Sequence, residues 1–403
     1  MLSQFKRASR SSKAMKGNQV AGLLVLGLGL CGCKTQQPPA LGEPLAGLTQ
    51  EQRAQFEEGK QIFQRIFEPK DGLGPLFNGN SCAACHETPV VGGVGDEVEV
   101  HATRFVAPDF CDQLFDQGGP VIQQHATPLL QAKGIEKEQI PPSATAQARR
   151  STPPLFGFGL VDAIAEATVV ARERANQTNG HGIRGHANRS IDGRVGRFGR
   201  KAAVATLFDF NAGAFPQEMG ITTPLSPVEE TINGTPVPPD TDPAADPEIG
   251  VEEIEKVTAF VRFLAPPLPL ILTNCHDRCL ARRGQQLFVE LNCAACHVPK
   301  MQTGPNSIRA LDRRTVALYS DLLVHDLGPA LADICLGQAR PSEFRTEMLM
   351  GLRFRSQFLH DGSAQTAQEA IEHHGGEAQF SSDVFKRLSD SDKRALLKFL
   401  ETL

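Results

Sequence analysis

Apolar residues recur at helical spacing in two stretches of the chain, residues 254–264 and residues 388–400. Because one face of a helix takes every third or fourth residue, each stretch predicts an amphipathic helix. The second stretch contains Ser389, a residue type favoured at the N-cap, near its start. No stretch alternates strongly enough to predict a strand. The fold class expected from this pattern is mainly α, with helices joined by long loops.

A short pattern occurs twice along the chain. Gly59-x-x-Ile62-Phe63 lies ahead of Cys82-Ala83-Ala84-Cys85-His86, and Gly284-x-x-Leu287-Phe288 lies ahead of Cys293-Ala294-Ala295-Cys296-His297. One of the two predicted helices closes each unit. This order of elements is typical of a cytochrome c domain, which has a helix with Gly and Phe, a Cys-x-x-Cys-His motif, a loop-rich middle and a closing helix. We therefore expect two such domains.

The two predicted domains differ in length. The Pro-rich stretch at residues 266–275 separates a domain over residues 50–267 from a domain over residues 268–403. The first is enlarged by residues 100–150, which show little periodicity, and by residues 226–250, which are acidic and rich in Pro. Such a composition indicates an exposed excursion.

The first 33 residues have the pattern of a targeting segment. Five basic residues and no acidic residue precede the apolar run Val20–Leu30, which is too short to span a bilayer. The run ends in Leu30-Cys31-Gly32-Cys33, typical of a lipoprotein signal that is cleaved to leave Cys33 as a lipidated N-terminus. We expect an exported protein on the periplasmic side of a bacterial membrane, held only by this lipid anchor. An ordinary cleaved signal and an uncleaved anchor are the alternatives.

The net charge limits the classes of binding partner, and the cysteine count limits the number of disulfides. Without the signal the chain has 36 basic and 46 acidic residues, a net charge of −10, which disfavours a nucleic-acid partner. Four cysteines lie outside the signal and the repeated motifs: Cys111, Cys275, Cys279 and Cys335. In an oxidising compartment they can form up to two disulfides, whose pairing the sequence does not determine.

The two Cys-x-x-Cys-His motifs predict two covalently bound c-type haems. Two thiols on one turn can add to the two haem vinyl groups, and the adjacent His then reaches the iron. A zinc site or a thioredoxin-like motif is the alternative, but a His after both pairs in an exported chain favours haem. The attachment residues are Cys82, Cys85, Cys293 and Cys296, and the iron ligands are His86 and His297.

Six further blocks extend the pattern beyond the haem motifs. With them, the chain from about Gly59 to its end resembles the bacterial di-haem oxidoreductases, a peroxidase-like or thiol oxidoreductase family distantly related to the di-haem cytochrome c peroxidases. The blocks cover residues 156–164, 196–202, 218–222, 319–328, 359–362 and 374–378.

The resemblance implies roles for two residues. In the di-haem peroxidases the position that matches His374, after the block His360-Asp361-Gly362, supplies the sixth ligand of the C-terminal haem. A role beside the haem for His373 or His374 is the alternative. An acidic residue directly before Met-Gly acts in those enzymes as acid and base over the open haem, which implies Glu218 as the catalytic residue. Met219 is the rival, as a haem ligand.

The resemblance implies a peroxidase-like oxidoreductase. Electrons from a small redox donor protein or a quinol-linked donor would enter at the C-terminal haem and pass to the N-terminal haem, where peroxide or another small oxidant reacts. The chain departs from the peroxidases at Phe208-Asp209-Phe210, where they have a Gln, and in having no Trp to bridge the haems. The alternatives are a non-enzymatic electron-transfer lipoprotein and an oxidase that acts on a protein partner.

Overall fold

The computed structural model describes residues 39–176 and 182–403. The targeting segment with Cys33 lies outside the described residues. Eleven α-helices occur in the described ranges: α1 Gln50–Phe63, α2 Cys82–Cys85, α3 Pro128–Gln131, α4 Phe158–Asp162, α5 Glu166–Asn176, α6 Leu207–Met219, α7 Val251–Phe263, α8 Cys275–Glu290, α9 Ala367–His373, α10 Gln379–Lys386 and α11 Asp390–Leu400. Short 3₁₀ turns cover Pro69–Asp71, Phe115–Gln117, Pro239–Thr241, Cys293–Ala295, Leu352–Phe354 and Gly376–Ala378.

Strands are short and mostly paired in twos. They are β1 Leu76–Phe77, β2 Val98–Val106, β3 Phe110–Asp112, β4 Val121–Ile122, β5 His125–Ala126, β6 Ala146–Ser151, β7 Thr231–Ile232, β8 Thr235–Pro236, β9 Met301–Gln302, β10 Thr315–Val316, β11 Val324–Asp326 and β12 Glu343–Arg345. Helices account for 34 % of the described residues and strands for 15 %. The expected mainly α fold therefore holds only in part, because the chain is mixed.

Two crossed helix pairs explain the glycines of the repeated pattern. Helix α1 packs on α7, and helix α8 packs on α11. A Cβ atom on Gly59 would lie 1.9 Å from the carbonyl oxygen of Lys256, and one on Gly284 would lie 2.0 Å from that of Ala395. Only a residue without a side chain lets the two backbones approach so closely. Both predicted amphipathic helices, α7 and α11, are confirmed.

Aromatic rings pack beside each crossing. The ring centroids of Phe63 and Phe260 are 4.9 Å apart, and those of Phe288 and Phe399 are 5.4 Å apart. At these distances ring pairs add to the free energy gained by burying their surface. The same packing unit therefore occurs twice, once ahead of each Cys-x-x-Cys-His motif.

The largest departure from the expected helical fold lies in the first insertion. Strand β2 pairs antiparallel with β3, β4 and β6, and its ladder with β6 runs from Val98 opposite Ser151 to Thr103 opposite Ala146. Thr103, Arg150 and Ser151 are all buried in this sheet. Buried polar residues on both faces, with Thr103 and Arg150 on one and Ser151 on the other, remove the apolar–polar alternation by which a strand is recognised from sequence. Residues 100–150 therefore showed no strand signal.

The described residues belong to one compact unit. Its main hydrophobic core is built from helices α1, α4, α6 and α7 together with residues between Met301 and Met348. A second core joins α8, α10 and α11. The division into haem domains over residues 50–267 and 268–403 stays a prediction. Within the described ranges, no helix is long and apolar enough to cross a membrane.

One of the two disulfides that the cysteine count allowed is present. Cys111, at the centre of β3, is bonded to Cys335, which lies 224 residues further along the chain. Cys275 and Cys279, in the first turns of α8, are free and exposed. The disulfide ties the sheet of the first insertion to the loops of the C-terminal half.

Candidate haem sites

The first haem motif forms a single helical turn. The Ser81 hydroxyl accepts a hydrogen bond of 3.0 Å from the backbone N–H of Ala84 and so caps helix α2. His86 follows the turn, and its Nδ1 lies 3.1 Å from the carbonyl oxygen of Gly93. A carbonyl can only accept, so Nδ1 carries the hydrogen and Nε2 keeps its lone pair free for a metal. Burial lowers the pKa of His86, which favours the neutral imidazole that a metal needs.

The second haem motif repeats this arrangement with different neighbours. Cys293 opens a 3₁₀ turn, and the Nδ1 of His297 lies 3.1 Å from the carbonyl oxygen of Tyr319. The imidazole therefore also presents Nε2 with a free lone pair. Burial, and then the neighbouring His374, lower the pKa of His297 to about 4.

His374 stands opposite His297. It is the C-cap residue of α9, and its Nδ1 lies 2.6 Å from the carbonyl oxygen of Ala370, so its Nε2 is free as well. The centroids of the two imidazole rings are 6.5 Å apart. A metal–nitrogen bond of about 2 Å on each side, with about 1 Å from nitrogen to ring centre, requires about 6 Å. The two rings are therefore spaced for one iron between them.

A cavity surrounds this histidine pair. Its wall includes the attachment cysteines Cys293 and Cys296, both histidines and a largely apolar lining. The apolar members include Ile183, Phe288, Leu349, Leu352, Phe358, Ile371, Leu396 and Leu400. An apolar cleft with two cysteines on one edge and an imidazole on each side fits a flat, covalently held macrocycle.

The other histidine closest to this motif is committed to other partners. The Nε2 of His325 lies 3.0 Å from a carboxylate oxygen of Asp321, and its Nδ1 lies 2.8 Å from one of Glu377. With both ring nitrogens engaged, His325 has no lone pair for iron. Met348 belongs to the main core. The geometry therefore favours His374 over both.

Glu218 lies in the last turn of α6, close to the first haem motif. Its carbonyl oxygen accepts from the backbone N–H groups of Asn78 at 2.7 Å and of Gly79 at 3.0 Å. A Cβ atom on Gly79 would lie 3.5 Å from the sulfur of Cys85. The structure thus brings the predicted catalytic carboxyl and the first attachment site together, although 132 residues separate Glu218 from His86. The rival Met219 is buried in the main core.

A network of amides holds the Glu218 carboxyl. Asn78 Nδ2 donates to Glu218 Oε2 at 3.0 Å, while Asn78 Oδ1 accepts from the backbone N–H of Gln124 at 2.9 Å. The N–H of Gln124 determines which end of the Asn78 amide faces it, so the NH₂ group must face Glu218. Burial, reinforced by the Glu99 carboxylate, raises the pKa of Glu218 well above its usual range, although the Asn78 hydrogen bond opposes this.

Asn78 contacts the candidate acid Glu218, and the sequence did not reveal this contact. The peroxidase-like pattern led us to look for an amide upstream of Glu218 on the same helix, where Phe208-Asp209-Phe210 stands. The amide comes instead from the segment directly before the first haem motif. Its only signal in the sequence is its position four residues before Cys82, which says nothing about a contact 140 residues away.

Sequence comparisons agree with this geometry. Residues 143–403 match the family model described as "Di-haem oxidoreductase, putative peroxidase". The methylamine utilization protein MauG of Methylorubrum extorquens is 29 % identical over 138 residues, which are 30 % of this chain and 34 % of MauG. The match thus spans about a third of the length of that relative.

Similarity to solved structures is weaker. Hydrazine synthase of Kuenenia stuttgartiensis gives a TM-score of 0.40 at 14 % identity, over 96 % of this chain and all of the other. A MauG-like protein associated with microbial copper homeostasis gives 0.38 at 17 % identity, over 91 % and 94 % of the two chains. A variant of the diheme peroxidase BthA from Burkholderia thailandensis gives 0.35 at 16 % identity, over 86 % and 85 %. TM-scores below 0.5 are too low to support a conclusion about this chain.

The family model covers well over half of the chain, including the second haem motif, His374 and Glu218. The chain belongs to the di-haem oxidoreductase family.

Proposed function

We propose that this protein is a peroxidase-like oxidoreductase with two c-type haems. The haems are attached at Cys82 and Cys85 and at Cys293 and Cys296. The proposal rests chiefly on the facing rings of His297 and His374, 6.5 Å apart, each with Nδ1 directed to a backbone carbonyl. Two imidazoles held in this way would both hold the iron of the C-terminal haem, which would supply electron-transfer chemistry there.

The two sites have different roles in this proposal. The C-terminal site, with ligands His297 and His374, accepts electrons one at a time from a small redox donor protein or a quinol-linked donor. The N-terminal site, with ligand His86, meets peroxide or another small oxidant. When bound, the haems supply the one-electron chemistry and the reaction with oxidant. The chain supplies ligation, exclusion of water and proton delivery.

Proton delivery is the role of Glu218. Burial raises the pKa of its carboxyl, which favours the protonated form that can donate. Asn78 donates to Oε2, so in the protonated form the hydrogen belongs on the other oxygen, Oε1. Asn78 thereby positions the acid, and Glu218 carries the transferable hydrogen at a defined atom.

Export and lipid anchoring through Cys33 belong to the same proposal. Disulfides persist in oxidising compartments such as the periplasm, and the Cys111–Cys335 bond is consistent with one. Changing Cys33→Ala would release the protein from the membrane fraction without altering its optical spectrum. A wild-type protein that is already soluble would contradict the anchor.

Glu218→Gln is the decisive experiment, on protein shown by mass spectrometry to carry two added haems. The variant keeps the shape of the side chain and loses its proton, so peroxide turnover should fall by about 10²–10⁴-fold while both reduction potentials stay unchanged. Glu138→Gln is the matched control, since Glu138 is also buried with a pKa raised to about 8, by burial. Full activity in Glu218→Gln would remove Glu218 from the mechanism.

The optical spectrum of the wild type distinguishes this proposal from an electron-transfer lipoprotein. An open N-terminal haem gives a high-spin ferric band, and partial reduction followed by peroxide should restore the oxidised spectrum. Two low-spin haems that never react with peroxide would favour electron transfer alone.

A further inference from the structure

Three arginines converge on one carboxylate beside the C-terminal haem motif. Arg200 Nη1 lies 2.8 Å from Glu347 Oε2, Arg345 Nη2 lies 3.2 Å from the same oxygen, and Arg355 Nη2 contacts Oε1. The three arginine side chains are only 9 %, 4 % and 6 % exposed. We call this set of four residues the arginine cluster.

The charges of the arginine cluster do not balance. Three guanidinium groups are always protonated, whereas the cluster itself holds one carboxylate. Asp321 near Arg345 and Glu99 near Arg200 are further anions, but each also pairs with a histidine, His325 and His101 respectively. Burial by itself would raise the pKa of Glu347, but the three guanidinium groups outweigh it and hold that pKa far below its usual range. Buried cations are costly unless they are paired, so a further anionic partner would stabilise the cluster.

The arginine cluster also contains a buried hydrogen-bond donor that has no acceptor among the described residues. The Nε atom of Arg355 is buried and has no hydrogen-bond partner among the described residues. The other two arginines are held rigidly from behind: Arg345 Nε donates to the carbonyl oxygen of Gly199 at 2.9 Å, and Arg200 Nη2 donates to that of Ser151 at 2.7 Å. A preorganised set of forked donors is suited to carboxylates.

The arginine cluster opens into the haem cavity. All four of its members line the cavity that also contains Cys293, Cys296 and the facing histidines. We propose that the arginine cluster binds the two propionates of the C-terminal haem, whose carboxylates offset its excess positive charge. This inference rests on haem attachment in the proposed function, and it is independent of any reaction with peroxide.

Neutralising single members of the cluster tests the inference. Arg355→Met removes a positive charge beside the haem. The loss of this charge favours the ferric state, so the midpoint potential of the C-terminal haem should fall. Glu347→Gln removes the opposing anion, so the same potential should rise. The resonance Raman band of propionate bending should shift in Arg355→Met. The potential of the N-terminal haem should change less in both variants.

Arg353→Met is the matched control. Arg353 lies two residues away, donates to the carbonyl oxygens of Leu403 at 2.7 Å and Leu268 at 2.5 Å, and is not part of the cavity wall. Its substitution should leave the potential and the propionate band at their wild-type values. A C-terminal potential and propionate band that are the same in Arg355→Met and in the control would overturn the inference.

A charge-conserving variant separates propionate binding from a general electrostatic effect. Arg355→Lys keeps the charge and loses the forked donor, so the propionate band should shift while the potential stays near that of the wild type. A potential that falls in Arg355→Met without any shift of the band in either variant would mean that the cluster acts at a distance, and the inference would be wrong. If Arg355→Met does not accumulate with both haems, Arg355→Lys and Glu347→Gln decide the question.

Mass spectrometry distinguishes failure of this inference from failure of the proposed function. A chain without haem at Cys293 and Cys296 contradicts both. A di-haem protein that never turns over peroxide, but whose potentials and propionate band respond as described, contradicts only the peroxidase-like function.

Discussion

At the scale of single residues, backbone carbonyls prepare three histidines to bind metal. The Nδ1 atoms of His86, His297 and His374 each lie within hydrogen-bond distance of a carbonyl oxygen, at 3.1, 3.1 and 2.6 Å. Because a carbonyl cannot donate, all three rings have the tautomer that leaves Nε2 free. This pattern separates them from His325, which contacts a carboxylate with each nitrogen.

His374→Ala tests the assignment of the sixth ligand. Loss of the imidazole should convert the C-terminal haem from low spin to a five-coordinate or water-bound state and raise its reduction potential, because imidazole stabilises ferric iron. Optical and paramagnetic resonance spectra measure the change. His373→Ala is the control, since His373 is the exposed neighbour on the same helix. A low-spin spectrum that persists in His374→Ala would mean that another residue is the ligand.

Asn78→Ala tests the positioning of Glu218. The Asn78 hydrogen bond favours the ionised carboxyl, so its loss raises the pKa of Glu218 further. Turnover that needs the protonated acid falls as pH rises through that pKa, and the fall should move to higher pH in the variant. The pH profile of initial peroxide turnover measures the shift. Asn80→Ala, at an exposed position, is the control and should leave the pH profile unchanged. If the pH profile of Asn78→Ala is the same as that of the wild type, Asn78 does not position Glu218.

At the scale of elements, the protein is built on a repeated pair of crossed helices. In both pairs a glycine lies against a backbone carbonyl, and a Phe follows four residues later to pack on an aromatic ring of the partner helix. The pair α8 and α11 also forms one wall of the haem cavity through Phe288, Leu396 and Leu400. The spacing of this pair therefore affects both stability and haem environment.

Gly284→Ala should force helices α8 and α11 apart. Its Cβ atom would lie 2.0 Å from the carbonyl oxygen of Ala395 and 2.7 Å from the Cβ atom of Phe399, which only a backbone shift can relieve. We expect a loss of about 1–3 kcal/mol in the free energy of unfolding, measured by urea titration. Gly213→Ala in α6 is the control, because its Cβ would meet only the Gln217 side chain at 3.9 Å. Equal stability of the two variants would contradict the close crossing.

At the scale of the whole molecule, long-range connections join the insertion to the C-terminal half. The Cys111–Cys335 disulfide links β3 to a loop 224 residues away. Arg150, in β6, pairs with Asp333, and the buried Lys201 pairs with the same carboxylate at 3.0 Å. The sheet that enlarges the first half is thus fastened beside the arginine cluster, to which Arg200 belongs.

Removing the disulfide should destabilise the fold without altering the haems. A cross-link over so long a loop restricts the unfolded chain, so the double variant Cys111→Ser with Cys335→Ser should lose about 2–5 kcal/mol of unfolding free energy. Urea titration followed by circular dichroism measures the loss, and the optical spectrum should be unchanged. The free, exposed pair Cys275→Ser with Cys279→Ser is the control. If Cys111→Ser with Cys335→Ser unfolds at the same urea concentration as the wild type, the disulfide adds no stability.

The sequence by itself determined the features that are formed by residues close together in the chain. The motifs ending in His86 and His297 are complete within five residues each, and helices α7 and α11 follow from a period that neighbouring residues alone generate. The family resemblance added Glu218 and His374, which the structure places near Cys85 and opposite His297.

Tertiary structure alone decided the contacts between distant segments. Which cysteines pair, which amide holds Glu218 and which arginines gather at Glu347 depend on residues between 2 and 224 positions apart. The sheet of the first insertion could not be recognised either, because it buries the polar residues Thr103 and Arg150 beside apolar ones. Periodicity reports only a residue's own exposure to solvent, whereas hydrogen bonds and ion pairs require a partner whose position is set by the folding of the entire chain.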